Sequence, residues 1–573
     1  MRRQPVPDPV ENLDFHVSLS TVCAALEAEV CNGSYTPKPP TRFLTEKSKG
    51  LCRQLVIPSV RDALVLQALS DDIWKELRKQ APTGNAFYAP NDQKFANGIG
   101  GHIAEYDSLE AWLKFQKAIF GFAETKKYIV VTDIANYYDF IPYEHLRNIL
   151  ADKASVREHA LDLLLFALSS MLWQPDYMPR VPVGLPQIAL DAPRLLAHCF
   201  LFEIDALMVN QKKVEYVRYM DDIDIGVDSL SEAKESLRDL DLALQTRQVR
   251  LNSGKTRILT AQEASSYFKI IENESLDNLS DMIDIKSALG ISLSQERQQL
   301  SNLFSRWKGD GTFEHGNGQK ILKRLINLSK KASFAVTATR IRWILAEFPG
   351  LRETALQWWR EGKKPHAQIH VLREFVSNGH LVDDAFVINI CTSIVSARLP
   401  FSNRTKAIVR EIAGHIDPRS PWGFYGRIWL LSKYAAPKEV FRVIENYTYT
   451  WGTSPQLGRL VAGVYPLLKC AGINPKKLEG LLARSGQSAG REVLEFHESL
   501  VSGTKGYKSI EGFLKAINPS LPNKATHSKF LMLMSIMQNP DLNDGIKSQL
   551  KLKHNTLLMD GFYRRLLKQA EAP

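Results

Sequence analysis

Apolar and polar positions follow two different periods along this chain. In the first half, short apolar or alternating runs rich in β-branched residues predict strands at 128–133 and on both sides of a turn within 215–227. After about residue 335 the apolar positions recur every three or four residues, in segments separated by turn-forming pairs such as Pro349-Gly350. This second pattern predicts a series of amphipathic helices.

The change of period near residue 335 divides the chain into two parts and predicts an α+β fold. The predicted strands lie in the first part, whose last stretch, 266–335, is rich in Lys and Arg. Residues 336–573 form an all-α, helical-repeat-like part without a visible sequence repeat, in which helices are expected at 508–516 and, as one long segment, at 541–570. Tryptophans that are expected in its core are Trp358, Trp359, Trp422, Trp429 and Trp451.

Composition favours a cytoplasmic protein with a phosphate-rich partner. The 573 residues include 73 Lys and Arg against 62 Asp and Glu, a formal charge of +11. The 6 cysteines are scattered and form no Cys-x-x-Cys pair, so neither a zinc site nor a disulfide framework is predicted. No apolar run reaches the length of a membrane span, and none follows the basic start as it would in a signal peptide.

Two adjacent carboxylates, Asp221 and Asp222, mark the turn within 215–227. Neighbouring carboxylates repel each other and are costly to bury together without a partner. A divalent cation that prefers hard oxygen ligands, Mg²⁺ or Mn²⁺, removes that cost and supports phosphoryl chemistry. A solvated Asp-Asp turn is the alternative that this tetrapeptide alone leaves open.

A third carboxylate, Asp133, ends the predicted strand at 128–133 and is followed by aromatic residues. A two-metal site needs carboxylates from separate strands that are held close together. Asp133 on one strand and Asp221 on a neighbouring hairpin would meet that need.

Two further motifs complete an ordered set. A Val-Gly-Leu-Pro-Gln segment at 183–187 lies between the acidic motifs, and an Arg-Leu-Asn-Ser-Gly-Lys-Thr segment at 250–256 follows them. With 128–141 and 215–227, the order and spacing of these motifs resemble those of reverse transcriptases, bacterial ones in particular. The resemblance covers about residues 30–265.

The resemblance implies a fold and a reaction. Residues 1–265 would form reverse-transcriptase fingers and palm, an antiparallel sheet with helices, and residues 266–335 a thumb-like basic helical region. The enzyme would join dNTPs into a single-stranded DNA product by two-metal nucleotidyl transfer. The groups that would catalyse this reaction and hold two Mg²⁺ or Mn²⁺ ions are Asp133, Asp221 and Asp222, with the backbone carbonyl of Ile134 as a further metal ligand.

The resemblance also implies nucleotide contacts. Arg53 and Lys47, in a basic hairpin, would touch the triphosphate, since guanidinium and ammonium groups match phosphate oxygens. Tyr138 would lie under the sugar and exclude a 2′-hydroxyl. Gln187 would contact the nucleotide or template, and Lys255 would lie near the leaving pyrophosphate. A solvated hairpin, a core tyrosine and a loop lysine are the respective alternatives.

The chain also departs from the family. Ile188 replaces the glycine that usually follows the glutamine, so its side chain is expected to crowd the place where the templating base pair is checked. His198 replaces an asparagine, and no endonuclease or RNase H motif follows. With its helical tail, the chain resembles abortive-infection (Abi) and unknown-group reverse transcriptases of antiphage defence. That resemblance implies template-independent synthesis, a protein hydroxyl as primer, and a homo-oligomer. Tyr35, in a proline-rich segment expected to be exposed, is a candidate primer; a structural tyrosine is its alternative.

Two other functions stay open. A templated reverse transcriptase that copies an associated RNA, as retron or intron enzymes do, would make DNA of fixed sequence. A non-catalytic nucleic-acid-binding scaffold would share the basic charge, although the three aspartates argue against it. Metal-dependent incorporation of nucleotides separates the scaffold from both enzymes.

Overall fold

The computed structural model describes residues 5–87, 108–175, 177–179, 181–362, 364–484, 488–503 and 526–571. The protein is mostly helical with small antiparallel sheets, which confirms the α+β class. The helix expected at 508–516 lies outside the described residues. Within the described ranges, no helix combines the length and the apolar character needed to cross a bilayer.

The N-terminal part alternates helices with strands. In chain order these elements are α1 (Leu13–Val17), α2 (Leu19–Cys31), β1 (Thr41–Ser48), β2 (Leu51–Ile57), α3 (Val60–Leu77), α4 (Ser108–Thr125), β3 (Tyr128–Asp133), α5 (Tyr143–Ala154), α6 (Glu158–Ser170), α7 (Asp191–Phe200), α8 (Phe202–Ala206), β4 (Glu215–Tyr219), β5 (Asp222–Val227), α9 (Leu230–Gln245), β6 (Arg257–Thr260) and α10 (Ala261–Phe268). The strands predicted at 128–133 and within 215–227 are confirmed as β3, β4 and β5.

Four strands form one antiparallel sheet in the order β4-β5-β3-β6. Because side chains alternate along a strand, Val130 and Ile225 pack on one face with helices such as α7 and α9, while Ile129 packs on the other with α4 and α10. A Cβ at Gly226 would lie 2.9 Å from the Phe122 ring, so this glycine lets α4 approach the sheet. Helices therefore cover both faces of the sheet.

Strands β1 and β2 form a separate two-stranded hairpin. Its register pairs Thr45 with Arg53, and a bulge follows Glu46. The outer edge of β1 is capped by side chains from the C-terminal helices: the Leu44 N–H donates to Asp384 at 2.8 Å and the Glu46 N–H to Asp383 at 2.9 Å. The hairpin is thus bound to the helical part of the chain.

The remainder of the described chain is helical. Its α-helices are α11 (Ile270–Ala288), α12 (Ser294–Gly309), α13 (Gly318–Lys331), α14 (Ala338–Glu347), α15 (Arg352–Glu361), α16 (Ile369–Ser377), α17 (Asp384–Ser396), α18 (Asn403–His415), α19 (Pro421–Tyr434), α20 (Pro437–Asn446), α21 (Thr448–Trp451), α22 (Pro455–Gly463), α23 (Tyr465–Cys470), α24 (Pro475–Arg484), α25 (Ser488–Ser502), α26 (Thr526–Met537), α27 (Asp544–Lys553), α28 (Asn555–Leu558) and α29 (Gly561–Glu571). The tryptophans expected in the core are buried there: Trp358, Trp359, Trp422, Trp429 and Trp451.

The prediction of a single long helix at 541–570 is wrong, because three helices occupy that segment. The break before α29 has a clear cause. Asp560 Oδ1 accepts the Phe562 N–H at 2.9 Å, and Oδ2 pairs with the buried Lys433 at 2.7 Å. A carboxylate fixed in this way caps a new helix instead of continuing the previous one.

The N-terminus and the hairpin belong to the core of the helical part. Val10, Leu13, Phe43 and Ile57 lie in the same hydrophobic cluster as the helices from α11 to α29. The segment that bears predicted triphosphate contacts is therefore anchored by residues from the far end of the chain.

Candidate active site

Aspartates from two neighbouring strands meet at one edge of the four-stranded sheet. The register pairs Asp133, the last residue of β3, with Asp222, the first residue of β5, and directly opposite residues point to the same face. Asp221 lies in the preceding turn, next to Met220 with φ of 57°. The Ile134 N–H donates to the Asp221 carbonyl at 3.2 Å and ties this turn to β3. The three predicted aspartates are therefore neighbours.

Their surroundings disfavour negative charge. Burial is the main cause that raises the pKa of Asp221 to about 6, and the charges of Asp222 and Asp133 raise it further. Burial also raises the pKa of Asp222, yet its side chain reaches solvent, as expected of a group in a cleft. Asp133 Oδ1 is buried and accepts no hydrogen bond from the described residues. Crowded carboxylates with an unsatisfied oxygen fit a hard divalent cation.

Lys255 partly neutralises this cluster. Its Nζ donates to Asp133 Oδ2, and although burial opposes the charge, this hydrogen bond raises the pKa of Lys255. The 250–256 loop is fixed beside β3, because the Asn252 N–H donates to the Asp133 carbonyl at 2.8 Å. Among the described residues, no group of three His, Cys, Asp or Glu side chains converges tightly enough to hold a metal ion as it stands.

A buried ion pair supports the acidic turn from below. Arg218 is fully buried and donates to Asp205 through Nε at 2.6 Å and Nη2 at 2.5 Å. Its Nη1 lies 3.4 Å from the Met220 carbonyl and 3.1 Å from His198 Nδ1. Burial and the charge of Arg218 lower the pKa of His198 well below its usual range, so we assign it as neutral, with Nδ1 accepting.

Sequence reasoning missed this pair. The available signal was a charged residue within the apolar lead-in to the turn, together with an aspartate at the end of the apolar run 195–205. Since a buried charge requires a partner, those two residues could have been matched with each other.

Tyr138 lies beside the aspartates in a short 3₁₀ turn after β3. Burial is the main cause that raises the pKa of its phenol, Asp221 raises it further, and the charges of Arg194 and Arg53 lower it. Arg194, Asp221 and Arg53 therefore each lie within electrostatic range of the Tyr138 phenol. Arg194, on α7, was not predicted; its Nη2 lies 3.5 Å from the Tyr219 hydroxyl.

Gln187 joins the segment after β3 to the β1–β2 hairpin. Its Nε2 donates to Asp139 at 3.2 Å, and its carbonyl accepts the Val56 N–H at 3.0 Å. Gly184 has φ of +96°, and a Cβ there would lie 3.1 Å from the Asp139 carbonyl, so the close approach requires glycine. Ile188 is partly buried and packs on the core beneath, so the crowding expected from this side chain stays a prediction.

The two basic hairpin residues differ in their surroundings. Arg53 is exposed, and its charge reaches Tyr138. Lys47 is exposed at the bulge and forms neither a hydrogen bond nor an ion pair with the aspartates of the described site. The structure therefore brings Arg53, but not Lys47, towards the other predicted nucleotide contacts.

Tyr35 is buried, so the expectation that it is exposed is wrong. Only 7% of the residue is accessible, and its hydroxyl donates to Asp62 at 2.8 Å. Burial and then the Asp62 charge raise the pKa of this phenol. Asp62 Oδ2 also accepts the hydroxyl of Ser59, the N-cap residue of α3, at 2.6 Å. This geometry favours the structural role that the sequence left open.

Two further charged groups border the aspartates. Asp224, two residues after Asp222 and thus on the same face of β5, is 3% exposed, and its Oδ1 accepts no hydrogen bond from the described residues. Lys320, from α13, lies 4.1 Å over the Trp112 ring, and its pKa is lowered by burial but raised by Asp222 and Asp224. The helical region after the sheet thus contributes a cation to this cleft.

No protein-family model matches the sequence, and no curated protein matches it. The motifs and the geometry of the cleft are therefore the basis for assigning a function.

Proposed function

We propose that this protein is a DNA polymerase of the reverse-transcriptase type, which joins dNTPs to a hydroxyl group by two-metal nucleotidyl transfer. The observation that carries the proposal is the pairing of Asp133 with Asp222 across adjacent antiparallel strands, with Asp221 in the adjoining turn. In this view the four-stranded sheet is the palm, the β1–β2 hairpin belongs to the fingers, and α11–α13 form the thumb.

The donor set fits Mg²⁺ or Mn²⁺. Asp133, Asp221 and Asp222 would hold two ions, with the carbonyl of Ile134 as a further ligand. Asp133 Oδ1 is buried and accepts no hydrogen bond from the described residues, and burial together with the neighbouring carboxylates raises the pKa of Asp221, so Lys255 alone does not balance the cluster. When bound, such ions stabilise the charge that develops on the attacking and leaving oxygens of a phosphoryl transfer.

The chain's own side chains would bind and orient the nucleotide. The charges of Arg53 and Arg194 both lower the pKa of the Tyr138 phenol, and their guanidinium groups suit triphosphate oxygens. The Tyr138 ring would pack against the sugar and exclude a 2′-hydroxyl by sterics. Lys255, held at Asp133, would transfer its hydrogen bond to the departing pyrophosphate. Gln187, fixed by Asp139, would form the wall of the nucleotide site.

The biological role that we propose is antiphage defence, as in abortive-infection and unknown-group reverse transcriptases. It is supported by the altered Gly-Leu-Pro-Gln-Ile segment and by the long helical part. The same resemblance supports template-independent, protein-primed synthesis by a homo-oligomer, and the scattered cysteines favour the cytoplasm. The priming proposal does not depend on Tyr35, since that hydroxyl is engaged by Asp62. Mass spectrometry of purified protein with covalently attached DNA would identify the residue.

The decisive experiment measures dNTP incorporation by the full chain with and without Mg²⁺ or Mn²⁺. Asp221→Asn with Asp222→Asn removes the ligands with little change of shape, and we expect a loss of rate of at least about 1,000-fold. The matched control is Asp228→Asn with Glu235→Gln, which removes two exposed acidic groups from the same region. Undiminished incorporation by the first variant would refute the assignment.

Sequencing the product separates the remaining alternatives. Heterogeneous DNA supports synthesis without a template, whereas one fixed sequence would identify a templated reverse transcriptase that copies an associated RNA. Nucleic-acid binding without incorporation under any metal condition would identify a non-catalytic scaffold.

A further inference from the structure

Helix α13 carries a row of lysines that begins in the active-site cleft. Lys320, Lys323 and Lys330 are spaced three and seven residues apart, which places them on one face of the helix. We call these three residues the lysine stripe. At 1.5 Å per residue, the stripe extends over about 15 Å.

The start of the stripe is fixed beside the sheet. The Asn317 N–H donates to the Tyr267 carbonyl at 2.8 Å, which joins the first turn of α13 to the end of α10. Gly316 has φ of +55°, and a Cβ there would lie 2.3 Å from the same carbonyl. Only glycine allows this contact, so the position of α13 relative to the sheet is specified by the sequence.

Lys320 is held in place without being neutralised by direct contact. Its ammonium lies 4.1 Å over the Trp112 ring, and Trp112 in turn packs edge-on against Tyr219, with ring centroids 5.3 Å apart. The Lys320 ammonium forms no hydrogen bond and no ion pair with any of the described residues. Asp222 and Asp224 influence its pKa only through longer-range charge. An ammonium group in this position can bind an anionic ligand beside the carboxylates.

The other basic residues of α13 are already paired. Arg324 donates to Asp277, and Lys331 donates to Asp284 at 2.5 Å, so both are committed to α11. Members of the lysine stripe have no carboxylate partner within ion-pair distance in the described chain, and Lys330 donates to the Gln357 amide oxygen at 2.9 Å. The unpaired positive charge of α13 is therefore concentrated on one face.

The far end of the stripe adds a further cation. Burial is the main cause that lowers the pKa of Lys330, and the charges of Arg360 and Lys323 lower it further, while Glu361 and Glu353 raise it. The Arg360 side chain is 6% exposed, its Nη2 makes no hydrogen bond in the described structure, and Glu361 lies 3.8 Å away. The repulsion between these cations is therefore offset in part by Glu361 and Glu353, and a bound anion would add to that compensation.

We propose that the lysine stripe binds the phosphate backbone of a single-stranded nucleic acid whose end lies at the carboxylate cleft. A stacked strand has one phosphate per about 3.4 Å, so about four phosphates match the length of the stripe. One row of cations on one helix suits one backbone rather than the two of a duplex. The identification of the strand's end as the reacting end rests on the proposed function.

Binding of a fluorescent oligothymidylate of about 20 nucleotides, longer than typical single-strand sites, tests this surface. The full-length protein is titrated by anisotropy in EDTA at several salt concentrations. The stripe variant is Lys320→Met with Lys323→Met and Lys330→Met. The control variant, Lys234→Met with Lys476→Met and Lys553→Met, removes the same charge from exposed positions elsewhere.

Each phosphate contact contributes about 0.7 to the slope of log Kd against log salt for a single strand. We therefore expect the slope to fall by about 2 in the stripe variant, which loses three lysines, and to stay unchanged in the control. Lys320→Arg should retain the wild-type slope. Equal losses in both variants, or no loss in either, would overturn the proposal. A loss confined to a DNA duplex of the same length would overturn its single-strand part.

Failure of this surface and failure of the proposed function give different results. The Asp221→Asn, Asp222→Asn protein should bind oligothymidylate with the wild-type slope while it incorporates no nucleotide. A wild-type protein with the expected slope but without incorporation would refute the polymerase and leave the binding surface intact. Thermal melting of each variant verifies that it is folded.

Discussion

Arg218 and Asp205 lie at the foot of the acidic turn, fully buried, with paired hydrogen bonds of 2.6 and 2.5 Å. The guanidinium also contacts the Met220 carbonyl, at 3.4 Å, and thereby holds the left-handed residue that aims Asp221 and Asp222. A buried pair of this kind adds little net stability compared with apolar residues, but loss of one partner leaves an uncompensated charge. Its contribution is therefore the geometry of the turn.

A double-mutant cycle tests this interpretation. Asp205→Leu alone should destabilise the protein by about 3–5 kcal/mol, because it leaves the buried Arg218 charge without a partner. Arg218→Met combined with Asp205→Leu should recover most of that loss in stability but not the activity, since nothing then holds the Met220 carbonyl. Thermal melting and dNTP incorporation measure the two effects. A double variant with full activity would contradict the positioning role.

The more exposed pair Arg247–Glu203 on the same side of the sheet provides the control. Arg247→Met should cost only about 0–1 kcal/mol, because solvent screens a partly exposed pair. A loss comparable to that of Asp205→Leu would mean that burial is not what distinguishes the two pairs.

At the scale of elements, the β1–β2 hairpin depends on a helix from the other end of the chain. An isolated hairpin is at best marginally stable in water. Here Asp383 and Asp384, at the start of α17, accept the outward N–H groups of Glu46 and Leu44. Arg352 bridges Glu46 and Asp383. These contacts cap an edge strand and orient the hairpin that carries Arg53.

Asp384→Ala should loosen the hairpin selectively. The Leu44 N–H, which is partly buried, would lose its acceptor, at a cost of about 1 kcal/mol. We expect faster amide hydrogen exchange in 41–57 with no change in β3, and a higher KM for dNTPs. Asp417→Ala, which removes a carboxylate that pairs locally with Arg419, is the control. Unchanged exchange in 41–57 would show that the cap is dispensable.

At the scale of the whole molecule, the two ends of the chain share one core. Arg459, on α22, donates to Asp8 at 2.6 Å and to Asp14 at 2.7 Å, and all three are largely buried. Gly463 permits the approach of Pro9, since a Cβ there would lie 2.3 Å from the proline ring. The N-terminal segment is therefore enclosed by helices from the C-terminal part of the chain.

A chain ending at residue 335 should fail to give a soluble, active polymerase. It would expose Phe43 and Ile57 and leave Asp8 and Asp14 without Arg459. In the full chain, Arg459→Met should lower the melting temperature for the same reason, whereas Arg410→Met, at an exposed pair with Glu439, should not. Solubility, melting temperature and dNTP incorporation are the measurements. A soluble and fully active shortened chain would refute the dependence.

The sequence by itself located many of the elements and fixed the order of the acidic motifs. Side-chain alternation and runs of β-branched residues are local properties, so β3, β4 and β5 could be located from them. The tryptophans of the helical part were expected in its core, and they are buried there. Asp133, Asp221 and Asp222 were recognisable because adjacent or strand-ending carboxylates require a special environment.

Only the tertiary structure decided which groups surround those carboxylates. Lys320 lies far along the chain from Asp222, and its relevance depends on the contact between Asn317 and Tyr267 that docks α13. Tyr35 was misjudged, because a proline-rich segment predicts extended backbone but says nothing about which side chain reaches Asp62. Long-range packing and the pairing of buried charges depend on the whole fold, and no local pattern encodes them.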